Sequence, residues 1–229
     1  MSKTMNKSLR HSVITMDGVH IRSREDGTES RIIEGYAIVF NTPSLPLYES
    51  EDREVREIIS SEAVTRALLD RQDIMMTMYH NNEMLLARSV NGKGSLTYEV
   101  DERGVKFAFE APDNVDGERA LSLVRRGDIS GCSFAFSADY WGDGVKRESA
   151  REGDKLVETY VVREIEGIYD FTLASRPAYP ATSVKARDLA DAMAGRERTE
   201  REERERMERE HAEKVKSQVA AMRAAASIR

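Results

Sequence analysis

The sequence predicts a mainly β, α+β fold: a small closed β-barrel flanked by helices, followed by a charged C-terminal helix. Three observations lead there. Apolar and polar residues alternate through many short runs punctuated by Gly, Asp, Asn and Pro, the pattern of short strands at regular spacing. Two isolated stretches carry helical signals instead. Near residue 188 the composition changes, and almost only helix formers follow.

The elements follow in order. SVITMDGVHIRS and RIIEGYAIVF are strand-like runs separated by REDGTES, whose Asp-Gly is a hairpin signal. NTPSLPLYESED is a loop and REVREII a strand. SSEAVTRALLDRQ opens on a serine cap and sets Ala63, Ala67 and Leu68 on one face, so it predicts a helix of about three turns. DIMMTMYH is a strand, and SLTYEVDERGVKFAFEA a hairpin about DERG. NVDGERALSLVRRGD is the second helix, and DISGCSFAFSADYW, KLVETYVVREIEG and IYDFTLASRPAY are closing strands. The organisation expected is an N-terminal segment with the first strand over 1–28, a main domain over 29–187, and a helical tail over 188–229.

The tail contains ten acidic and ten basic residues. Glu197–Arg201, Glu200–Arg204, Glu202–Arg206 and Glu205–Arg209 are i,i+4 pairs, each contributing ~0.2–0.5 kcal/mol to a helix. From Arg196 to Glu210 Met207 is the one apolar residue, so this helix has no face to bury against the domain. Val215, Val219, Met222 and Ala226 then form a modest stripe, suited to a partner helix.

Composition weighs against several functions. A net charge of -6 gives no general attraction for nucleic-acid phosphates. The single cysteine, Cys132, forms no internal disulfide and no Cys-based metal cluster, and no HExxH pattern occurs. No cofactor or metal is therefore expected. The N-terminus lacks a continuous apolar core of the kind a signal peptide has, and no stretch approaches the ~20 apolar residues of a bilayer span. A soluble, intracellular protein is expected.

Two residues stand out as carriers of chemistry. In the strand Gly131–Ser137, Cys132, Phe134 and Phe136 alternate to one side, while Gly131, Ser133, Ala135 and Ser137 fall on the other. Small neighbours leave room for a substrate at Ser133, whereas Cys132 points with the phenylalanines. Of four histidines, His211 lies in the tail, His11 at the N-terminus and His20 within an early strand. His80 ends an apolar strand and meets a loop beginning Asn81-Asn82, a suitable place for a general base. Taken singly, each residue fits an ordinary structural role as well.

Together the motifs resemble a family. Gly35-Tyr36-Ala37-Ile38-Val39-Phe40-Asn41, then His80-Asn81, then Gly127-Asp128-Ile129-Ser130-Gly131-Cys132-Ser133-Phe134-Ala135-Phe136 occur in the order seen in phage prohead (capsid-maturation) serine proteases. Asp170 to Pro180, with its Pro-Ala-Tyr-Pro ending, is similar to that family's closing strand. The resemblance spans about Gly35 to Val184. It implies a barrel like that of the herpesvirus assemblins, with Ser133 as nucleophile and His80 as base. The third place, usually acidic in the phage family, falls on Asp170, with Glu164 and Glu166 as alternatives. Arg176 occupies a position where assemblins keep an arginine that helps hold the site.

The function so implied is a serine endopeptidase cutting phage capsid and scaffold proteins, and itself, inside the assembling prohead in the host cytoplasm. Expected partners are the major capsid protein and scaffold, with no nucleic acid or membrane; a homo-oligomer stays open. The alternatives are a non-catalytic β-barrel capsid-assembly or scaffolding protein, and a cysteine hydrolase using Cys132. A nucleic-acid-binding barrel comes last, against the acidic balance.

Overall fold

A computed structural model of the chain describes residues 8–14, 19–27, 29–175, 205–207 and 209. The chain separates into two compact units, Met1–Lys185 and Ala186–Arg229. In the first unit the order is β1 (Ser8–Ile14), β2 (His20–Ser23), β3 (Glu29–Val39), β4 (Tyr48–Glu49), β5 (Arg53–Ile59), α1 (Arg66–Leu69), β6 (Asp73–Met78) and β7 (Asn81–Val90). There follow β8 (Lys93–Gly94), β9 (Leu96–Val100), β10 (Gly104–Glu110), α2 (Val115–Arg125), β11 (Gly131–Ala138), β12 (Val145–Glu152), β13 (Lys155–Val162) and β14 (Gly167–Ala174).

The fold is mainly β with few helices. Its strands form a six-stranded sheet ordered β1-β11-β14-β6-β7-β8 and two four-stranded sheets, β2-β3-β10-β9 and β12-β13-β5-β4. Among the described residues no sheet closes on itself, so the closed barrel expected from the sequence is not found. Two of the outermost strands, β4 and β8, are only two residues long, too short to carry a ladder onward.

Alternation on the six-stranded sheet separates core from chemistry. Cys132, Phe134 and Phe136 of β11, Phe171 and Leu173 of β14, and Ile74, Met76 and Met78 of β6 are all 0% exposed. Ladder pairs such as Phe134↔Phe171 and Phe171↔Met76 put them on one face. The Phe134 and Phe136 rings stack at 4.9 Å. Each of the larger side chains contributes roughly 1.5–3 kcal/mol by leaving water. The opposite face carries Ser133 and Ala135, Thr172 and Asp170, and Thr77 and Met75, rung against rung.

The first helix is much shorter than its pattern suggests. The Ser60 N–H donates to the Val162 carbonyl and stays with the sheet, and the β-branched pair Val64-Thr65 follows. Thr65, not a serine, caps α1 by accepting from the Leu68 N–H at 3.1 Å. Ala63, Val64 and Leu69 are buried, while Ala67 is exposed. The second helix is capped by Asn114, whose side chain accepts from the N–H groups of Asp116 and Gly117. Of the second unit, residues 205–207 and 209 are helical and exposed, and the Glu205–Arg209 pair approaches at 3.9 Å. The Val215–Ala226 stripe lies outside the described residues. No described helix is long and apolar enough to cross a membrane.

Candidate active site

The site is assembled on three adjacent strands of the six-stranded sheet. Ser133 lies on β11 and Asp170 on β14. His80 occupies the turn after β6. Because Met78 pairs with Asn81, Tyr79 and His80 form a two-residue hairpin loop, with φ of 57° and 54°. Positive φ at both central residues is the type I′ arrangement, usually given to Asn or Gly. Bulky residues there are strained, at a cost of order 1–3 kcal/mol each. Asn81 and Asn82, expected in a loop, instead begin β7.

This strained turn folds the imidazole back over the sheet. Its Nε2 is 2.9 Å from the Ser133 Oγ, and its Nδ1 is 2.8 Å from the Asp170 Oδ1. Ser133 is 1% exposed, and the side chains of His80 and Asp170 are 24% and 9% exposed. Asp170 owes its orientation to a local irregularity. Ala135 pairs with Asp170, but Phe136 pairs with Ile168, so Tyr169 is an extra residue in β14. Such a bulge resets which face the following residues occupy. Asp170 thereby shares a face with Ser133. It lies within β14 rather than at its opening.

Of the other acids considered, Glu164 is exposed in the segment before β14, and the Glu166 N–H donates to the Ser137 carbonyl. The carboxylate bonded to His80 Nδ1 is that of Asp170. His20 bonds Glu34 at 3.1 Å. Arg176 and the Pro-Ala-Tyr-Pro run lie outside the described residues. Cys132, one residue from Ser133, is fully buried on the opposite face. Burial pushes its thiol pKa upward and suppresses the thiolate a cysteine nucleophile requires.

The sequence reading missed one neighbour of the site. The Thr172 hydroxyl accepts from the His80 N–H at 2.9 Å. Its position two residues beyond Asp170 on the same strand face is a signal that reading β14 by alternation would have supplied.

A hydroxyl, an imidazole and a carboxylate linked in this order form the hydrogen-bond chain of serine hydrolases. Residues 18–195 match the family model of the caudovirus prohead serine proteases, and the chain belongs to that family. Among solved structures, the capsid assembly protease gp21 of bacteriophage T4 is similar at 10% identity. The alignment covers 74% of this chain and 99% of that one, with a TM-score of 0.41. No curated protein matches the chain.

Proposed function

We propose that this chain is a serine endopeptidase that cleaves capsid and scaffold polypeptides, and its own chain, inside the assembling prohead in the host cytoplasm. The observation that carries the reading is the continuous relay Ser133 Oγ–His80 Nε2–Asp170 Oδ1, at 2.9 and 2.8 Å. Ser133 Oγ attacks the scissile carbonyl while His80 Nε2 takes its proton. Asp170 holds Nδ1–H, fixing the tautomer that leaves Nε2 free to accept, and balances the imidazolium that forms. The imidazolium then protonates the leaving amine, the C–N bond breaks, and an acyl-enzyme remains on Ser133. Water, deprotonated by His80, releases the acid product and restores the serine.

The oxyanion of the tetrahedral intermediate needs donors about 3 Å away. By the family resemblance Arg176 helps organise that region. The charged tail from residue 188 onward, of which the described residues 205–207 and 209 are helical and exposed, is read as a docking element for a scaffold helix through Val215, Val219, Met222 and Ala226. The test incubates the purified protein, and its Ser133→Ala variant, with the capsid and scaffold proteins made by the same phage. Defined fragments from the parent and none from the variant are expected. Equal fragmentation by both sinks the reading.

A further inference from the structure

Two threonines stand on the chemical face of the six-stranded sheet, on the same rung as the nucleophile. Ser133 pairs with Thr172, and Thr172 pairs with Thr77, across β11, β14 and β6. Both threonines are 0% exposed. Their hydroxyls are joined, Thr77 Oγ1 donating to Thr172 Oγ1 at 2.9 Å. Thr172 Oγ1 also accepts the His80 backbone N–H at 2.9 Å. A hydroxyl oxygen has two acceptor lone pairs, and these two bonds use both.

The His80 amide sits in a left-handed turn between β6 and β7. The neighbouring Tyr79 N–H is tied to the β14 backbone through the Leu173 carbonyl at 3.2 Å. At His80 the corresponding tie is a side chain. We propose that Thr172 is a positioning residue for the relay: its buried hydroxyl, oriented by Thr77, pins the His80 amide and so aims the imidazole at Ser133 and Asp170. The inference rests on the serine-protease reading above and adds to it a residue that touches neither substrate nor the reacting atoms.

The geometry makes a sharp distinction between packing and positioning. Valine matches threonine in shape and fills the same buried space without a hydroxyl. Serine keeps the hydroxyl and loses a methyl group. A packing role would be kept by Thr172→Val and damaged by Thr172→Ser; a positioning role gives the reverse.

The test uses the full chain and a fluorophosphonate probe, which phosphonylates an activated serine. Its Ser133 Oγ–P bond forms as P–F breaks, fluoride leaves, and the serine proton passes to His80. Reaction rates at saturating probe separate the chemical step from probe binding. For Thr172→Val we expect the limiting rate to fall roughly 10- to 100-fold, as for a reacting group misplaced by an ångström, with probe affinity unchanged. Thr172→Ser should react as the parent does. The proton resonance of His80 Nδ1–H should shift or vanish in Thr172→Val and stay in place in Thr172→Ser. A parental rate in Thr172→Val, equal damage from both variants, or an unmoved resonance overturns the proposal. Should Thr172→Val fail to fold, Thr77→Val against Thr77→Ser applies the same criterion one hydroxyl further out, and a parental rate in Thr77→Val overturns it. Ser133→Ala and His80→Ala are run beside them. Labelling of Ser133→Ala, or a parental rate in His80→Ala, would mean that the relay reading itself fails. Loss in both controls beside a parental Thr172→Val would defeat the threonine proposal alone.

Discussion

The imidazole Nε2 of His80 lies 2.9 Å from the Ser133 hydroxyl, although 53 positions separate them in the chain. The two meet because β14 lies between β6 and β11, and the hairpin turn after β6 projects His80 over its neighbour strands. If they act as one unit, losses on removing them do not add. Ser133→Ala and His80→Ala should each lower the proteolytic rate by several powers of ten, and the double variant should be no worse than the more damaged single one. Measured rates of scaffold cleavage decide it. A double variant as slow as the product of the two single losses contradicts the relay.

Asp170 contributes through the tautomer it enforces. Asp170→Asn keeps the size of the side chain, but its amide can place an N–H against Nδ1 and turn the imidazole's proton to Nε2. The expected result is a fall in kcat of ~10³–10⁴-fold with KM little altered. The thermal midpoint should remain near that of the parent. A loss confined to KM would return the third role to Glu164 or Glu166.

Much of this was legible because alternation is a strict rule. The separation of Ser133 from Cys132, Phe134 and Phe136 follows from the two-residue period of a strand, and the ladder pairs across β11, β14 and β6 show the same division of faces, although both faces are buried. The hairpin carrying His80 was not legible, since Tyr79-His80 has none of the Asn-Gly or Asp-Gly chemistry that marks a type I′ turn. Nor was β12, where seven of eight residues are exposed and polar spacing shows no period. The first helix was overestimated because helical periodicity says nothing of the Ser60 amide already held by Val162. The Tyr169 bulge also escaped, because an extra residue in a ladder is visible only once both strands are aligned.

Cys132 provides a check on which neighbour does the chemistry. Its thiol is fully buried among apolar groups and its pKa is pushed up by that burial. The folded protein should resist iodoacetamide and keep its activity after the treatment. Cys132→Ser places a hydroxyl on the core face, which should cost about 1–3 kcal/mol of stability while leaving turnover intact below the melting range. Inactivation of folded protein by thiol alkylation would move the nucleophile to Cys132.

A pH dependence of stability follows from Glu34 on β3. It is 8% exposed, and it accepts from the Arg22 guanidinium at 3.0 and 2.5 Å and lies 3.1 Å from His20 Nε2. The hydrogen bond from Arg22 is the main influence holding the Glu34 carboxyl below its ordinary pKa, against a weaker opposing effect of burial. A depressed folded-state pKa adds stability above the unfolded value, about 4.3, which is lost as pH falls through the folded value. The thermal midpoint gap between the parent and Glu34→Gln should therefore be full near pH 7 and close as pH falls below about 4. A gap of constant size from about pH 7 to about pH 3 would rule out the linkage.

The last prediction concerns β1, which lies outside the residues matched by the family model. It pairs antiparallel with the outer edge of the nucleophile strand, from Ser8↔Ala138 to Ile14↔Cys132, with Val13 opposite Ser133. On its other side β11 is held by β14. Removing residues 1–14 would convert β11 into an edge strand. Its alternate N–H and C=O groups would then be bare, next to a row of buried side chains. Water would satisfy those groups only where it can reach them, and a second chain could pair there instead. The shortened protein should therefore melt at a lower temperature and associate in a concentration-dependent way. A finer test uses proline, which removes one donor. In an antiparallel ladder adjacent residues alternate between facing the partner and facing away, so one of Ser12→Pro and Val13→Pro should destabilise more than the other. Melting curves and sedimentation over a range of concentrations read both effects. A shortened chain with the parental midpoint and no association would show that β1 does not hold the edge of β11.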